Sequence, residues 1–375
     1  VILLEKAFKY RIYPNKKQQE LLQKTFGCCR YVYNYFLDKK ITEYKENKKS
    51  LSFYDTSKML TQLKKEKEWL REVDAHSLQF SLKILDEMYQ RFFKNYNGFP
   101  KFKKKKNYNS YSTKNNSSSL RNKLSIEFEN KHIKLPKLGF VKVRDKQIPQ
   151  GRILNATISQ EPNGHYYCSL CCTDIEFPQY SKTNKNVGID LGIVDFAILS
   201  DGIKIKNPRF YEKSEKKLAK LQRELSRKTI GGSNWNKARI KVANLQKHIS
   251  NQRKDFLQKL TTNLVKQYDI ICIEDLDVQS MKETDSSVRN KHVFDVSWSE
   301  FRRMLTYKST WYGKTLSVID RYFPSSQICH CCGVNGGKKS VEIRYWICSN
   351  CGSKLDRDNN ASINILNEGL RNLSV

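Results

Sequence analysis

The spacing of hydrophobic and polar positions changes several times along the chain, and each change predicts a different element. Residues 7–14 alternate between the two classes, as in a strand, and Pro14 ends it. From residue 16 to about residue 96 the apolar positions recur at helical spacing. Between residues 124 and 177, short alternating stretches broken by Gly and Pro predict a small β-barrel. If the first strand belongs to this barrel, the helical block is an insertion within it.

The chain after residue 186 alternates strands with helices, an order typical of an α/β domain. A helical pair covers residues 211–267 and turns at the sequence GGSN. Residues 270–273 form a continuous apolar run, which is typical of a strand buried on both faces. We therefore predict a multidomain protein that combines a β-barrel with an α/β fold.

The net charge of the chain favours one class of binding partner. Among 375 residues, 69 are Lys or Arg and 38 are Asp or Glu, which gives a net charge of +31. A charge of this size favours a polyanion as partner, most simply nucleic acid. No run approaches the roughly 18 apolar residues of a membrane span. We expect no membrane partner and a soluble, cytoplasmic, bacterial protein.

Four cysteines near the end of the chain have the spacing of a zinc ribbon. Cys329 and Cys332 form one C-x2-C pair, Cys348 and Cys351 form another, and residues 333–347 separate the pairs. A glycine follows each pair, where the backbone must turn sharply. Four thiolates leave no open coordination position, so we predict one structural zinc ion without a catalytic role.

Acidic residues stand where α/β sheets place their functional sites. Asp190 shares one face of a predicted strand with Gly188 and Gly192, and we expect these glycines to clear space for a metal ion and a phosphate. The apolar strand 270–273 ends in Glu274 and Asp275. Carboxylates at the ends of strands in such a sheet lie at its usual binding edge.

The sequence DRDNNASINIL supplies a third acidic position, at Asp356 or Asp358, and both are residues that start helices. Carboxylates that converge on divalent ions suit two-metal phosphodiester hydrolysis, in which one metal activates water and the other stabilises the leaving oxygen. Oxygen ligands favour magnesium or manganese over zinc at this site. Each aspartate alone could simply cap a turn or a helix, but their order within a basic chain favours a metal nuclease.

Several motifs in one order resemble the TnpB family, which comprises transposon-encoded, RNA-guided nucleases related to type V CRISPR effectors. They are GIDLG, IEDLDV and DRDNNASINI, with the zinc ribbon just before the last, together with YRIYPNKKQQELLQKTFGCCRYVYNYFL, GFPKFKKKK, DVSWSEFRRML and YFPSSQICHCCG. The resemblance covers nearly the whole chain and implies a RuvC-like catalytic domain of RNase H fold. It implies that Asp190, Glu274 and Asp358 are catalytic and hold magnesium or manganese, with Asp356 the less favoured third residue. It also makes the four cysteines the zinc ligands.

The resemblance implies a domain plan as well. Residues 1–14 and 98–182 would form a wedge-like β-barrel, 15–97 a helical recognition insertion, 183–325 and 353–375 the RuvC-like domain, and 326–352 the zinc ribbon. The implied partners are a guide RNA from the transposon end and a double-stranded target DNA.

The basic and aromatic stretch that begins at Lys101 predicts nucleic-acid contacts, unless it is only a solvated connection. The residues expected to make these contacts are Lys101, Lys103, Lys104 and Tyr108. The resemblance alone adds Lys9, Arg11, Tyr13 and Arg30 on the first strand and the first helix.

The predicted function is therefore an RNA-guided DNA endonuclease that cuts DNA beside a short adjacent motif. One alternative is a non-cleaving, RNA-guided DNA-binding regulator, which the three intact carboxylates disfavour. Another is a transposase or an accessory DNA-binding protein of the element. The His-x-His motif of the single-strand transposases that accompany this family is absent from the sequence. The oligomeric state stays open.

Overall fold

The computed structural model describes residues 3–105, 109–118, 123–276, 297–340 and 342–374, so the predicted contact residue Tyr108 lies outside it. The chain divides into two compact units, an N-terminal unit Val1–Glu176 and a C-terminal unit Phe177–Val375. Among the described residues, no helix is both long and apolar enough to cross a membrane.

The N-terminal unit begins with a strand, continues with helices and ends with further strands, in the order that the sequence predicts. Its helices are α1 (Lys16–Asn47), α2 (Phe53–Glu66) and α3 (Ala75–Phe93), with a 3-10 turn at Glu68–Arg71 between the last two. Its strands are β1 (Leu3–Tyr13), β2 (Asn109–Lys114), β3 (Ser117–Ser118), β4 (Lys123–Leu124), β5 (Glu127–Glu129), β6 (His132–Leu135), β7 (Gly139–Val143), β8 (Arg152–Gln160) and β9 (Tyr166–Glu176).

A seven-stranded antiparallel sheet forms the body of this unit, in the order β2-β8-β9-β1-β7-β6-β5. Strand β1 pairs with β9 on one side and with β7 on the other. The strand before the helices and the strands after them therefore belong to one sheet, as expected. Strands β2 and β5 are the outer strands of the sheet as described, so closure into a barrel stays a prediction.

Helix α1 starts where the sequence places it because Asn15 and Gln18 form a capping box. The side chain of Asn15 accepts a hydrogen bond from the Gln18 backbone N–H (2.9 Å), and the Gln18 side chain accepts one from the Asn15 N–H (3.0 Å). One face of α1 buries apolar residues at helical spacing, among them Leu22, Phe26 and Phe36. The helix continues to Asn47, beyond the strongest part of the periodic pattern.

The C-terminal unit contains a five-stranded sheet in the order β12-β11-β10-β13-β14. These strands are β10 (Asn186–Leu191), β11 (Asp195–Leu199), β12 (Lys204–Lys206), β13 (Ile270–Glu274) and β14 (Thr315–Ile319). The helices are α4 (Phe210–Ser226), α5 (Ser233–Gln267), α6 (Trp298–Tyr312) and α7 (Arg357–Leu373), and a small hairpin consists of β15 (Tyr345–Ile347) and β16 (Lys354–Asp356). Strands β10, β11 and β12 are antiparallel neighbours, whereas β13 and β14 run parallel to β10.

Helices cover both faces of this sheet. Helices α5 and α6 pack on the face that carries Val187, Ile189 and Ile271, and they complete the main core with Leu257 and Phe301. Helix α7 packs on the opposite face, against β10, β13 and β14. Because β13 is covered on both sides, its continuous apolar run is explained, as the sequence predicts.

The role expected for Gly188, one of the two glycines beside Asp190, is wrong. A Cβ atom on Gly188 would lie 2.0 Å from the backbone oxygen of Ser362, so this glycine lets α7 approach the sheet. A Cβ on Gly192 would lie 2.8 Å from the backbone oxygen of Asp195, in the turn between β10 and β11. The space beside Gly188 is therefore filled by the protein itself and is not held open for a ligand.

Candidate functional site

The three predicted carboxylates line one cavity at the carboxyl ends of two parallel strands. Asp190 lies near the end of β10, and Glu274 is the last residue of β13, whose preceding residue Ile273 is paired with Ile189. Asp358 lies in the first turn of α7, the helix that packs on β10. All three line a cavity of about 400 Å³ that is open to solvent on one side. This edge of the sheet is where α/β proteins place their sites.

The electrostatics of the cavity favour a bound cation. Burial raises the pKa of Asp190 well above its usual value, and the nearby carboxylates of Glu274 and Asp358 raise it further, while Arg357 opposes this shift. Burial also raises the pKa of Glu274, although its hydrogen bond with Asp190 acts in the opposite direction. Crowded carboxylates of this kind are stabilised by a shared proton or by divalent cations. The donor set, made of hard oxygen atoms, fits magnesium or manganese.

The two aspartates at the start of α7 have different environments. Asp356 is the N-cap, and its Oδ1 accepts hydrogen bonds from the backbone N–H groups of Asp358 (3.1 Å) and Asn359 (3.2 Å). Its Oδ2 binds the ammonium of Lys204 at 2.8 Å. Burial opposes ionisation of Asp356, but Lys204 and the two N–H groups outweigh it and lower the pKa. Asp356 is thus occupied as a cap, whereas Asp358 lines the cavity.

Two arginines that the motifs do not single out line the same cavity. The Arg344 guanidinium contacts Asp358 Oδ2 at 2.7 Å, and Arg357 also borders the cavity. Arg344 lies between the two cysteine pairs, in a stretch that carries no spacing signal, so its position depends on how the segment between the pairs folds. The cavity therefore has positive as well as negative groups at its wall.

The four cysteines of the two C-x2-C pairs come together as their spacing predicts. Their Sγ atoms all lie within 4.8 Å of one another. Cys329 and Cys351 are 3.7 Å apart, and Cys332 and Cys348 are 3.6 Å apart. In a tetrahedral site with Zn–S bonds of about 2.3 Å, the sulfur atoms are about 3.8 Å apart. A hydrogen bond from Ser353 lowers the pKa of Cys351 to about 6, which favours the thiolate that a metal needs.

The glycines after each cysteine pair have the backbone conformation that the turns require. Gly333 has φ of 75° and Gly352 has φ of 72°, both in the left-handed region. Each donates its N–H to the carbonyl of the first cysteine of its pair, at 2.8 Å to Cys329 and 2.9 Å to Cys348. The fifth cysteine of the region, Cys331, stands outside the cluster and is exposed.

Two buried asparagines of α7 attach this cysteine module to the helix that carries Asp358. Asn360 accepts hydrogen bonds from His330 N (2.9 Å) and pairs with His330 Nδ1 (3.0 Å), and it donates to Ile328 O (2.7 Å). Asn364 donates to Ile328 O (2.7 Å) and to Ser325 O (2.8 Å). The chain entering the first cysteine pair is therefore held directly against α7.

Relatives that align with nearly the whole chain identify the family to which it belongs. The chain is 37% identical to a Streptomyces pristinaespiralis protein named "Putative RNA-guided DNA endonuclease", over 98% of this chain and 90% of the relative. It is 32% identical to the Escherichia coli protein "Putative RNA-guided DNA endonuclease InsQ", over 97% and 92% of the two chains. A mimivirus "TnpB-like protein L79" is 25% identical over 97% of this chain and 73% of its own. The chain belongs to the TnpB family.

Three family models match separate segments of this TnpB chain. Residues 167–285 match OrfB_IS605, described as "Probable transposase", and residues 298–365 match the "Cas12f1-like, TNB domain". Residues 4–49 match a family described as "Helix-turn-helix domain", yet here they form β1 followed by the single long helix α1. A chain from a solved Cas12f1–sgRNA–target DNA complex has a similar fold, with a TM-score of 0.56 at 11% identity, covering 97% of this chain and 98% of that chain.

The nucleic-acid contacts predicted on β1 form a row on one face of the TnpB sheet. Lys9, Arg11 and Tyr13 alternate with buried residues and face outward. Lys9 pairs with Glu161 at 3.1 Å, and Arg11 lies 5.0 Å from the Tyr13 ring, which Arg144, the residue after β7, approaches at 4.6 Å. This row is consistent with a basic surface, although Lys9 is already paired.

The other predicted contacts lie near α1. Lys101, Lys103 and Lys104 are all exposed, and Lys103 also places its ammonium 4.1 Å above the buried ring of Tyr33. Burial of its ammonium lowers the pKa of Lys103, although the residue as a whole is exposed. Arg30 lies on the outer face of α1 and lines a shallow depression there.

Proposed function

We propose that this chain is an RNA-guided DNA endonuclease and that its C-terminal unit is a RuvC-like nuclease domain of RNase H fold. The observation that carries the proposal is the convergence of Asp190, Glu274 and Asp358 on one cavity. Each comes from a separate element, yet the three meet at the binding edge of a sheet whose first strands are antiparallel and whose last strands are parallel. The names of the full-length relatives support the same activity.

Asp190, Glu274 and Asp358 would hold magnesium or manganese ions, because hard carboxylate oxygens and a crowded negative charge suit these cations. Such ions supply activation of the attacking water and stabilisation of the leaving oxygen in phosphodiester hydrolysis. Asp356 holds the start of α7 and so keeps Asp358 at the cavity. Arg344 and Arg357 favour the approach of an anionic phosphodiester to the same wall.

We propose one structural zinc ion at Cys329, Cys332, Cys348 and Cys351, because the sulfur spacing fits a four-thiolate site. The ion would hold the cysteine module in one shape and supply no step of the reaction. The partners of the protein would be a guide RNA from the transposon end and a double-stranded target DNA. Base pairing would select the target, and protein groups would recognise duplex shape and the short adjacent motif.

The proposed domains follow the same plan. Residues 1–14 and 98–182 form the wedge-like part, 15–97 the helical recognition part, 183–325 and 353–375 the nuclease part, and 326–352 the ribbon. The pairing of β1 with β9 supports the first assignment, since it joins the two sequence segments in one sheet.

The test begins with the RNA that remains bound when the protein is expressed with its flanking locus and purified through high salt, which removes non-specific phosphate contacts. We expect one defined RNA that ends in a variable segment. DNA matching that segment is then assayed for magnesium-dependent cleavage. The Asp190→Asn and Asp358→Asn variants should bind this RNA normally and cut no DNA.

Asp356→Asn is the matched control, because Asp356 caps the helix and leaves the cavity to its neighbour. It should lose stability and still cut. Cleavage at the wild-type rate by Asp190→Asn would refute the catalytic assignment. Recovery of random RNA, or of none, would refute the guided function.

A further inference from the structure

Asp275, the residue directly after Glu274, binds two arginines that come from different elements. Its Oδ1 accepts a hydrogen bond from the guanidinium of Arg302 on α6. Its Oδ2 lies 3.1 Å from Nη2 of Arg321, which stands two residues beyond the end of β14. Arg321 Nε also donates to the backbone carbonyl of Asp275, at 3.3 Å. The side chain and the backbone of Asp275 are therefore held by α6 and by the segment after β14.

These contacts lie where the strand pairing of β13 ends. Strand β13 pairs with β10 as far as Ile273, which is opposite Ile189, and with β14 as far as Glu274, which is opposite Ile319. Glu274 thus has a paired neighbour on one side only, and Asp275 lies beyond both ladders. The direction of the chain at this point depends on contacts other than strand pairing, and the two arginines supply such contacts.

Asp275 uses its charge differently from Glu274. Alternation along β13 directs Ile273 towards the core that α6 completes and Cys272 towards the face that α7 covers. Glu274 follows Cys272 to the α7 face, and Asp275 follows Ile273 to the α6 face, where it meets Arg302. Among the described residues, Glu274 lines the carboxylate cavity and Asp275 does not. Both carboxylate oxygens of Asp275 bind guanidinium groups, so this residue is not placed to hold a metal ion.

We propose that Asp275 is a positioning residue, held by Arg302 and Arg321 so that the carboxylate of Glu274 stays beside Asp190. The side chains of Glu274 and Asp190 share a hydrogen bond in the cavity. A rotation of the chain after Ile273 would carry the carboxylate of Glu274 away from Asp190. The proposal rests on the proposed function, which makes Glu274 a ligand of magnesium or manganese.

A purely electrostatic role for the same three residues predicts a different pattern. Asp275→Asn removes a negative charge near the cavity, and Arg321→Gln removes a positive one. Acting only through the local potential, the first change would weaken binding of a divalent cation and the second would strengthen it. If the contact positions Glu274, both changes weaken cation binding, because each breaks the same contact. The signs of the two effects therefore separate the two roles.

The first readout is the binding of Mn²⁺ to RNA-free protein, measured by electron paramagnetic resonance, with Glu274→Gln as the reference for loss of the site. We expect the Mn²⁺ dissociation constant to rise about tenfold in Asp275→Asn and in Arg321→Gln, as when a partner of a metal ligand is removed. The second readout is single-turnover cleavage of matched DNA by the RNA-loaded protein. The magnesium concentration at half-maximal rate should rise by a similar factor.

Three further variants test the contact itself. Arg321→Lys keeps the charge but lacks the planar fork that reaches both the carboxylate and the carbonyl, so it should restore only part of the Mn²⁺ affinity. Asp275→Asn combined with Arg321→Gln should bind Mn²⁺ no more weakly than Asp275→Asn alone, because the two residues act as one unit. Arg303→Gln is the matched control, since it removes an equal charge from α6, where Arg303 pairs with Glu300 at 2.7 Å. It should leave the Mn²⁺ affinity unchanged.

Wild-type Mn²⁺ affinity in Asp275→Asn or in Arg321→Gln, even with a lower melting temperature, would overturn the proposal, and so would a higher affinity in Arg321→Gln. If Asp275→Asn does not fold, Arg321→Gln and Arg321→Lys decide between the two roles by the same signs. If the wild-type complex cuts no matched DNA, the proposed endonuclease function fails, and the Mn²⁺ titration still decides whether Asp275 positions Glu274.

Discussion

Replacing Asn360 by alanine should loosen the cysteine module from α7 without altering a cysteine. Asn360 is fully buried and pairs with both N–H groups of His330 and with the carbonyl of Ile328. Because Asp358 lies only two residues earlier on the same helix, the change also removes the support next to the third carboxylate. The variant therefore separates the effect of the module's attachment from the effect of the proposed zinc ion.

The magnitude follows from the groups that lose a partner. The carbonyl of Ile328 keeps its second donor, Asn364 Nδ2, at 2.7 Å. The backbone N–H of His330 has no such substitute, and an unsatisfied buried donor costs about 1–3 kcal/mol. The two other hydrogen bonds of Asn360 contribute about 1 kcal/mol each at most. We expect the free energy of unfolding of the C-terminal unit to fall by about 2–4 kcal/mol.

The assay measures zinc content, chemical unfolding and the magnesium concentration at half-maximal cleavage. We expect zinc content to be unchanged, stability to fall as estimated and the required magnesium concentration to rise. Asn335→Ala is the matched control, because Asn335 is an exposed asparagine of the same module and, among the residues that the structure describes, its side chain hydrogen-bonds only the N–H of Gly337. A wild-type magnesium requirement in Asn360→Ala, despite the lost stability, would refute the idea that this residue positions Asp358.

Cys348→Ser should lose both the bound zinc and the cleavage activity. Cys331→Ser, whose cysteine lies outside the sulfur cluster, should keep both, as measured by metal analysis and a DNA cleavage assay. A zinc-free variant with full activity would contradict the proposed role of the metal. Arg344→Gln should slow DNA cleavage about 10- to 100-fold and leave the RNA affinity unchanged, because the variant loses a charged contact at the cavity. An unchanged single-turnover rate would show that Arg344 has no part in the site. Asp269→Asn should destabilise the C-terminal unit by about 2–3 kcal/mol in denaturant, since it removes the carboxylate that is paired with the buried Lys314 at 2.5 Å. The hydrogen bond from Lys314 holds the pKa of Asp269 at about 2, below the ordinary value of 3.8. The stabilisation of the fold by this ion pair is therefore present above pH 4 and is lost as the pH falls towards 2. An Asp269→Asn variant with the same acid sensitivity as the wild type would contradict this reasoning.

The features that the sequence predicts well depend on short-range signals. The start of α1 follows from Pro14 and the capping pair at Asn15 and Gln18, which lie within a few residues of one another. The sulfur cluster follows from the two C-x2-C pairs, because each pair fixes its own turn. The edge position of Glu274 follows from the apolar run before it, which requires a strand covered on both sides.

The features that escape sequence reasoning depend on contacts between distant residues. The sequence shows that no side chain is present at Gly188 and Gly192, but it does not show what occupies the space beside them. At Gly188 the backbone of α7 occupies that space. The contact of Arg344 with Asp358 requires the fold of the whole cysteine module. The choice between Asp356 and Asp358 likewise depends on Lys204, a residue of β12 far away in the sequence.

The third carboxylate is held from two directions, and this explains why the cysteine module lies so close to it in sequence. On one side, Gly188 and Gly369 allow α7 to pack tightly on the sheet, since a Cβ on Gly369 would lie 2.4 Å from Cys272 Sγ. On the other side, Asn360 and Asn364 bind the chain that enters the first cysteine pair. Asp190 and Glu274 are fixed by adjacent strands, whereas the position of Asp358 depends on how α7 is held against the sheet and the cysteine module. An error of about 1 Å in a catalytic group can reduce catalysis about 100-fold, so a module fixed at the start of α7 would serve the reaction if Asp358 is catalytic as we propose.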